Sequence, residues 1–195
     1  NIVACQWFMK DNNTERWLVG EEAPAAGQGD IAYSDDSGAT WTTVNIGGAA
    51  AGHGCVLGGS LWVVDTGAIW LASAAGYIYK SEDGGESWTA KESGGITTND
   101  YHHIHFFDAD TGVAVAAGDI VALTEDGGET WTAGTATGGG GDLLCCWMTE
   151  EDTIWVGDNA GDLWYSHDFG TTWTERTGLA GTPADINDVE FFDSQ

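Results

Sequence analysis

SEDGGESW, residues 81–88, crowds two glutamates, an aspartate, two adjacent glycines and a terminal tryptophan into eight positions. In isolation the octamer reads as a fragment of a calcium loop: Glu82, Asp83 and Glu86 bring hard oxygen ligands together, and Gly85 allows a sharp turn. The rest of the chain reads it otherwise. SDDSGATW fills 34–41, TEDGGETW fills 124–131 and SHDFGTTW fills 166–173, so five columns recur four times. They are Ser34, Asp36, Gly38, Thr40 and Trp41; Ser81, Asp83, Gly85, Ser87 and Trp88; Thr124, Asp126, Gly128, Thr130 and Trp131; and Ser166, Asp168, Gly170, Thr172 and Trp173. The four tryptophans stand 47, 43 and 42 residues apart, a period that belongs to radial repeat architectures rather than to a single site.

Each column has a mechanical use in a tight turn. The aspartate side chain accepts from backbone N–H groups that the turn leaves unpaired. The glycine takes a positive φ that a residue with a Cβ adopts only at a cost. The Ser/Thr hydroxyls add side-chain bonds across the turn, and the tryptophan buries a large ring against its own or the next repeat unit. These twenty residues are therefore read as structural, with loss of Asp126 expected to cost on the order of 1 to 3 kcal/mol.

A short strand precedes each octamer (DIAY at 30–33, YIYK at 77–80, DIVAL at 119–123, DLWY at 162–165), and Thr42, Thr89, Thr132 and Thr174 follow the tryptophans, where β-branched residues suit an outer strand. The octamer is then a hairpin turn. Two more alternating segments lie upstream, HHIHFFDAD then TGVAVAAG in the third repeat and LLCCWMTEED then TIWVGDNAG in the fourth. Four antiparallel strands per repeat make an all-β chain of β-propeller blades, at about 1–46, 47–95, 96–137 and 138–180. INDVEFFDSQ, closing the chain, matches YHHIHFFDAD with Val189 on Ile104, so 181–195 holds the first strand of a fifth blade. A lone first strand leaves the ring incomplete. Further blades of a longer polypeptide, blades from partner chains, or an unusual small ring would complete it. Asn1 in place of Met fits either a removed leader or an excerpt.

The pattern S/T-x-D-x-G-x-T/S-W resembles the Asp-box, or BNR repeat, of sialidases, sortilin-type receptors, xyloglucanases and photosystem II assembly factors, which carry it on propeller blades. FFDADTGVAV at 106–115 followed by TEDGGETW is similar in texture to the assembly factors, which are binding proteins. The resemblance implies a basic binding face in those factors, and this chain has five Lys plus Arg. Sialidase chemistry implies three arginines gripping a carboxylate bidentately, whereas Arg16 and Arg176 are the two here. The Tyr nucleophile of those enzymes has no assignable counterpart: Tyr33, Tyr77, Tyr79, Tyr101 and Tyr165 mostly take repeat-equivalent strand positions. Xyloglucanase chemistry implies two carboxylates across a cleft, and thirty-one acids make any one pair uninformative.

A formal charge of −26 repels nucleic acid and anionic membrane surfaces, and it suits a secreted or otherwise surface-exposed protein. No apolar run approaches the roughly 20 residues that span a bilayer. Cys5, Cys55 and Cys145 align on one first-strand position, which Ile104 and Val189 occupy elsewhere; the expectation is free, buried thiols. On that alignment the equivalents of His105 are Gln6, Cys146 and Glu190, and His105, Cys146 and Glu190 are the candidates for a soft divalent metal, against a polar channel lining. Trp7, Trp17, Trp62, Trp70, Trp147, Trp155 and Trp164 lie outside the octamers and read as packing between blades, with sugar stacking as the alternative.

Together these features read as a non-enzymatic extracellular or surface propeller, binding a protein or glycan or building a homo-oligomer or larger assembly such as a virion or surface filament, with no cofactor. The alternative is a glycoside hydrolase propeller of sialidase or xyloglucanase type whose site is completed by blades absent from this chain. A calcium-stabilised adhesin is the third reading.

Overall fold

The computed structural model describes residues 2–11, 14–21, 30–46, 61–64, 68–92, 94–176 and 184–191. Among these, sixteen strands form four four-stranded antiparallel sheets. Blade 1 is β1 (Ile2–Asp11), β2 (Thr14–Glu21), β3 (Asp30–Ser34) and β4 (Thr42–Asn45). Blade 2 is β5 (Leu61–Val63), β6 (Ile69–Ala72), β7 (Tyr77–Ser81) and β8 (Thr89–Glu92). Blade 3 is β9 (Tyr101–Phe106), β10 (Gly112–Ala116), β11 (Ile120–Thr124) and β12 (Thr132–Ala133). Blade 4 is β13 (Leu143–Glu150), β14 (Thr153–Asp158), β15 (Leu163–Ser166) and β16 (Thr174–Glu175). In each sheet the strands lie in chain order, and the first strands β1, β5, β9 and β13 line the inside.

Strand alternation gives every blade two faces, one toward the preceding blade (upstream) and one toward the next (downstream). Leu18 and Ile31 of blade 1 pack on Leu61, Ile69 and Leu71 of blade 2. Trp70, Ala72 and Ile78 of blade 2 pack on Ile104, Phe106 and Ala114 of blade 3. Val113, Val115 and Leu123 of blade 3 pack on Cys146, Met148 and Ile154 of blade 4. Coverage on both faces explains why β6 and β10 are buried at every residue and read as unbroken apolar runs. Each fully buried Leu, Ile or Val contributes about 1.5 to 3 kcal/mol.

Register corrects the alignment of the inner strands. Trp17, Ile69, Gly112 and Ile154 each sit opposite the first residue of an octamer, so they share one position. Counting from them, Ile104 is matched by Cys5, Leu61 and Cys146, not by Cys145. Cys55 lies outside the described residues. The bulge between Leu143 and Cys145 is the physical reason: two adjacent cysteines of one size carry no phase signal, and a bulge moves the count by one.

Residues 184–191 lie on the downstream face of blade 4. The Ile186 N–H donates to the Asp158 carbonyl at 3.0 Å, just as Tyr101 N–H donates to the Ser73 carbonyl at 3.0 Å at the start of blade 3. Phe191 packs on Trp155 with ring centroids 5.0 Å apart, repeating Phe106 on Trp70 at 4.9 Å. The segment starts a fifth, partial blade.

Candidate functional site

The four octamers are hydrogen-bonded turns of one geometry. The Ser34, Ser81, Thr124 and Ser166 hydroxyls donate to Oδ1 of Asp36, Asp83, Asp126 and Asp168 at 2.8–2.9 Å. Those hydroxyl oxygens in turn accept from the N–H of Gly38, Gly85, Gly128 and Gly170 at 2.8–2.9 Å. The N–H of Thr40, Ser87, Thr130 and Thr172 reaches the same Oδ1 at 2.8–2.9 Å. Their hydroxyls reach Oδ2 at 2.5–2.6 Å. Both carboxylate oxygens are thus engaged within the turn. Bonds from Thr40 and Thr172 hold Asp36 and Asp168 down at about 2. Thr130 lowers Asp126 likewise, while at Asp83 burial pushes upward and the bonds from Ser87 and Ser81 outweigh it.

The glycine column also serves the joint between blades. Gly128 has φ +73°, and a Cβ there would overlap the Trp70 indole of blade 2. At Gly85 (φ +93°) it would fall 2.8 Å from Leu18 of blade 1, and at Gly170 3.1 Å from Leu123 of blade 3. These three turns therefore dock on the blade before them. The tryptophans follow: Trp131 packs edge-on against Trp70 at 6.1 Å, and Trp173 Nε1–H donates to the Thr135 carbonyl at 2.9 Å. The sequence places these rings on their own or the next blade; the structure keeps Trp41 and Trp88 bonded to their own turns, through the Gly38 and Gly85 carbonyls at 3.1 and 3.2 Å, and sets Trp131 and Trp173 on the preceding blade.

Cations reinforce two joints. Arg16 is buried on β2, donates from Nε and Nη2 to Asp35 at 2.6 Å each, from Nη1 to the Gly84 carbonyl at 2.8 Å, and lies 3.1 Å from Glu86. Lys10 reaches Glu86 at 2.9 Å, and Lys91 and Lys80 reach Glu129 at 2.8 and 3.8 Å. Glu86 and Glu129 occupy the sixth octamer position, where the other two boxes carry Ala39 and Thr171. Sequence reasoning missed these clasps, because Arg16 and Glu86 are 70 residues apart and no local pattern links them.

On the inner strands the structure does not bring the metal candidates together. His105 shares its register position with Trp62 and Trp147, and lies between them at centroid distances of 4.1 and 4.3 Å. Cys146 faces the other way from Trp147 and has its Sγ 3.5 Å from Nδ1 of His103, and Glu190 is exposed on the fifth-blade segment. No group of three His, Cys, Asp or Glu residues among those described is arranged to hold a metal. Burial pushes His103 down to about 4 and His105 down to about 3, and it raises the Cys145 thiol to about 12 and the Cys146 thiol well above its ordinary value. These are neutral packing groups.

The remaining candidate is the upstream face of blade 1. Trp7 is 60% exposed, Trp41 43%, Trp17 41% and Met9 41%. Cys5, which shares the position of buried Ile104 and Cys146, is also exposed. This corrects two expectations: the Cys5 thiol is exposed rather than in the core, and among the described residues Trp7 and Trp17 do not pack between blades. Trp62, Trp70, Trp147 and Trp155 do make ring contacts within or between blades.

The family model described as BNR/Asp-box repeat matches residues 164–175, the fourth box with its flanking strands. No curated protein matches the chain. Among solved structures, an ancestral GH74 enzyme superposes with a TM-score of 0.66 at 14% identity, over 92% of this chain and 24% of that one. The GH74 xyloglucanase from Xanthomonas campestris gives 0.63 at 15% identity, over 92% and 32%. The computationally designed Ika8 protein gives 0.63 at 14%, over 98% and 53%. At these identities the likeness is one of fold, and the chain spans from about a quarter to about half of these proteins. It is a β-propeller of Asp-box repeats, with four blades and part of a fifth.

Proposed function

We propose that this propeller is a non-enzymatic scaffold of an extracellular or surface-exposed protein, engaging a protein or glycan partner or building into a larger assembly such as a virion or surface filament. The observation that carries this reading is the exposed Trp7, Trp17, Trp41 and Met9 face at the end of an otherwise closely packed array. An apolar face of that kind on a chain of formal charge −26 is a contact surface, because nothing else in the composition favours association. The acids of the boxes and the four cations Lys10, Arg16, Lys80 and Lys91 support it as well, since their bonds hold turns and joints together.

The test is incubation of the purified chain with xyloglucan and with a sialylated oligosaccharide, reading sugar release and tryptophan fluorescence. The expected result is no release. Quenching that disappears in Trp7→Ala assigns the face to glycan, and unchanged fluorescence assigns it to protein contacts. Release of sugar that co-purifies with the chain overturns the scaffold reading in favour of a hydrolase.

A further inference from the structure

Resting on the glycan branch of the reading above but not on the blade 1 face, we propose that a cavity at the outer hairpin of blade 2 binds one neutral sugar unit. The cavity measures about 290 Å³ and is lined by Lys80 of β7, by Glu82, Asp83 and Ser87 of the second octamer, and by Thr89 and Lys91 of β8. Glu129 of blade 3 reaches both ammonium groups, 2.8 Å from Lys91 and 3.8 Å from Lys80. The cavity thus stands at the joint between blades 2 and 3, each of which has all four of its strands.

In the neighbouring blades the same place is packed. Lys80 and Lys91 hold the positions one before the octamer and three after its tryptophan. Blade 3 has Leu123 and Gly134 there: Leu123 is buried in the core shared with blade 4, and a Cβ on Gly134 would fall 3.2 Å from it. Blade 1 has Tyr33 and Val44, and the Arg16 guanidinium lies over the Tyr33 ring at 4.1 Å. Blade 2 instead puts two of the chain's five cationic side chains at this place, only 14% and 22% exposed. Drawing ammonium groups out of water costs free energy that a leucine does not cost, so packing alone does not account for the pair.

The lining alternates donors with acceptors. An ammonium carries three N–H donors, and Lys91 pairs with Glu129 alone while Lys80 pairs with Glu82 at 3.2 Å and, more loosely, with Glu129. Ser87 donates its hydroxyl to Asp83, which leaves the Ser87 oxygen to accept, and Thr89 adds a hydroxyl that does both. Adjacent sugar hydroxyls match this pattern, each accepting from an ammonium while donating to a carboxylate. Two ammonium groups against two glutamates leave little net charge to draw an ion, and a chain of formal charge −26 repels anions. The volume lies at the lower end of the roughly 300 to 1,000 Å³ of small-molecule sites, which suits a single pyranose.

The experiment is reductive methylation of the lysines of the intact chain, read residue by residue by mass spectrometry, alone and with xylose, glucose, galactose, N-acetylglucosamine or inorganic phosphate. Lys10, in the clasp between blades 1 and 2, is the internal control. At least one of the sugars should slow methylation of Lys80 and Lys91 and leave Lys10 unchanged. Calorimetric titration of that sugar should weaken by about tenfold or more in Lys80→Met/Lys91→Met, as for the loss of charge-assisted hydrogen bonds. Should that variant fail to fold, Thr89→Val, at an exposed strand position, replaces it and should weaken binding in the same direction. Protection by phosphate and by none of the sugars overturns the neutral-sugar assignment, and protection by no probe overturns the site. A sugar that binds without protecting Lys80 and Lys91, and whose binding vanishes in Trp7→Ala, overturns this site while the glycan reading stands. Sugar release from an oligosaccharide overturns the scaffold reading, whereas the cavity stands or falls by the lysine protection.

Discussion

Blades 1 and 3 present the same upstream face to different surroundings. In blade 3, Ile104, Phe106, Gly112 and Trp131 disappear beneath Trp70, Ala72 and Ile78 of blade 2. In blade 1, Cys5, Trp7, Trp17 and Trp41 hold the same register and stay open; the box tryptophans differ most plainly, 6% exposed against 43%. The bonds of the aspartate do not distinguish the two, since the Asp36 and Asp126 turns agree to within 0.1 Å in them, but the ring nitrogens do: Trp41 Nε1–H donates to the Gly38 carbonyl at 3.1 Å, while buried Trp131 Nε1 has no partner among the described residues. An Asp-box is therefore a self-sufficient turn, while the burial of its glycine and tryptophan is conferred by the neighbour.

The sharpest way to break this comparison is at the glycines. Gly128→Ala forces a methyl group into the Trp70 ring and should abolish soluble expression or lower Tm by more than about 10 °C. Gly38→Ala meets its own Trp41 ring in ordinary contact at 3.6 Å and should lower Tm by only a few degrees, from φ strain alone. Equal losses, measured by calorimetry, would mean that the joint adds nothing to the turn. At the tryptophans, Trp131→Ala should cost about 3 to 5 kcal/mol in urea unfolding, and Trp41→Ala under about 1. A large effect at Trp41 in a monomeric sample would show that the face is covered from within the chain.

Arg16→Ala removes the bonds to Asp35 and Gly84 and the pairing with Glu86, and should cost about 3 kcal/mol, because the carboxylates and carbonyl it serves lose a buried donor. Arg16→Lys should recover only part, since an ammonium cannot bridge Asp35 bidentately. The smallest effects come from titration. His103 and His105 are held below their ordinary value in the folded chain, so their contribution is complete above about pH 6.5 and is lost as pH falls toward 4 and 3. The box carboxylates add stability that is present above about pH 4 and lost as pH falls through 2. Acid unfolding should accordingly show two limbs, and His105→Phe should flatten the upper one without moving the lower.

The repeat, its four strands and the start of a fifth blade were legible because a turn of eight residues carries its own hydrogen-bond partners, so Ser, Asp, Gly and Thr must recur wherever it does. Phase within the inner strands was not. Leu143-Leu144-Cys145-Cys146-Trp147 offers apolar residues on both faces, and only pairing with Val156 and Trp155 shows that Cys146 and Trp147 match Ile104 and His105. That single step dissolved the metal candidate. Exposure was equally silent, since a tryptophan waiting for a neighbour and one already beneath it are the same letter at the same spacing. The ionic clasps were hidden for a third reason: they join residues of two neighbouring blades, 1 with 2 and 2 with 3, that meet only in the folded array.

Those clasps also work as an address. Lys10 and Arg16 on blade 1 require a glutamate at the sixth octamer position of the following blade, and Lys80 and Lys91 on blade 2 require the same of blade 3. Blades 1 and 4 offer Ala39 and Thr171 there, so neither would make these pairs in the place of the second or third blade. Four modules whose turns share one geometry are thereby given a spelling, a preferred order written in the charges at their joints.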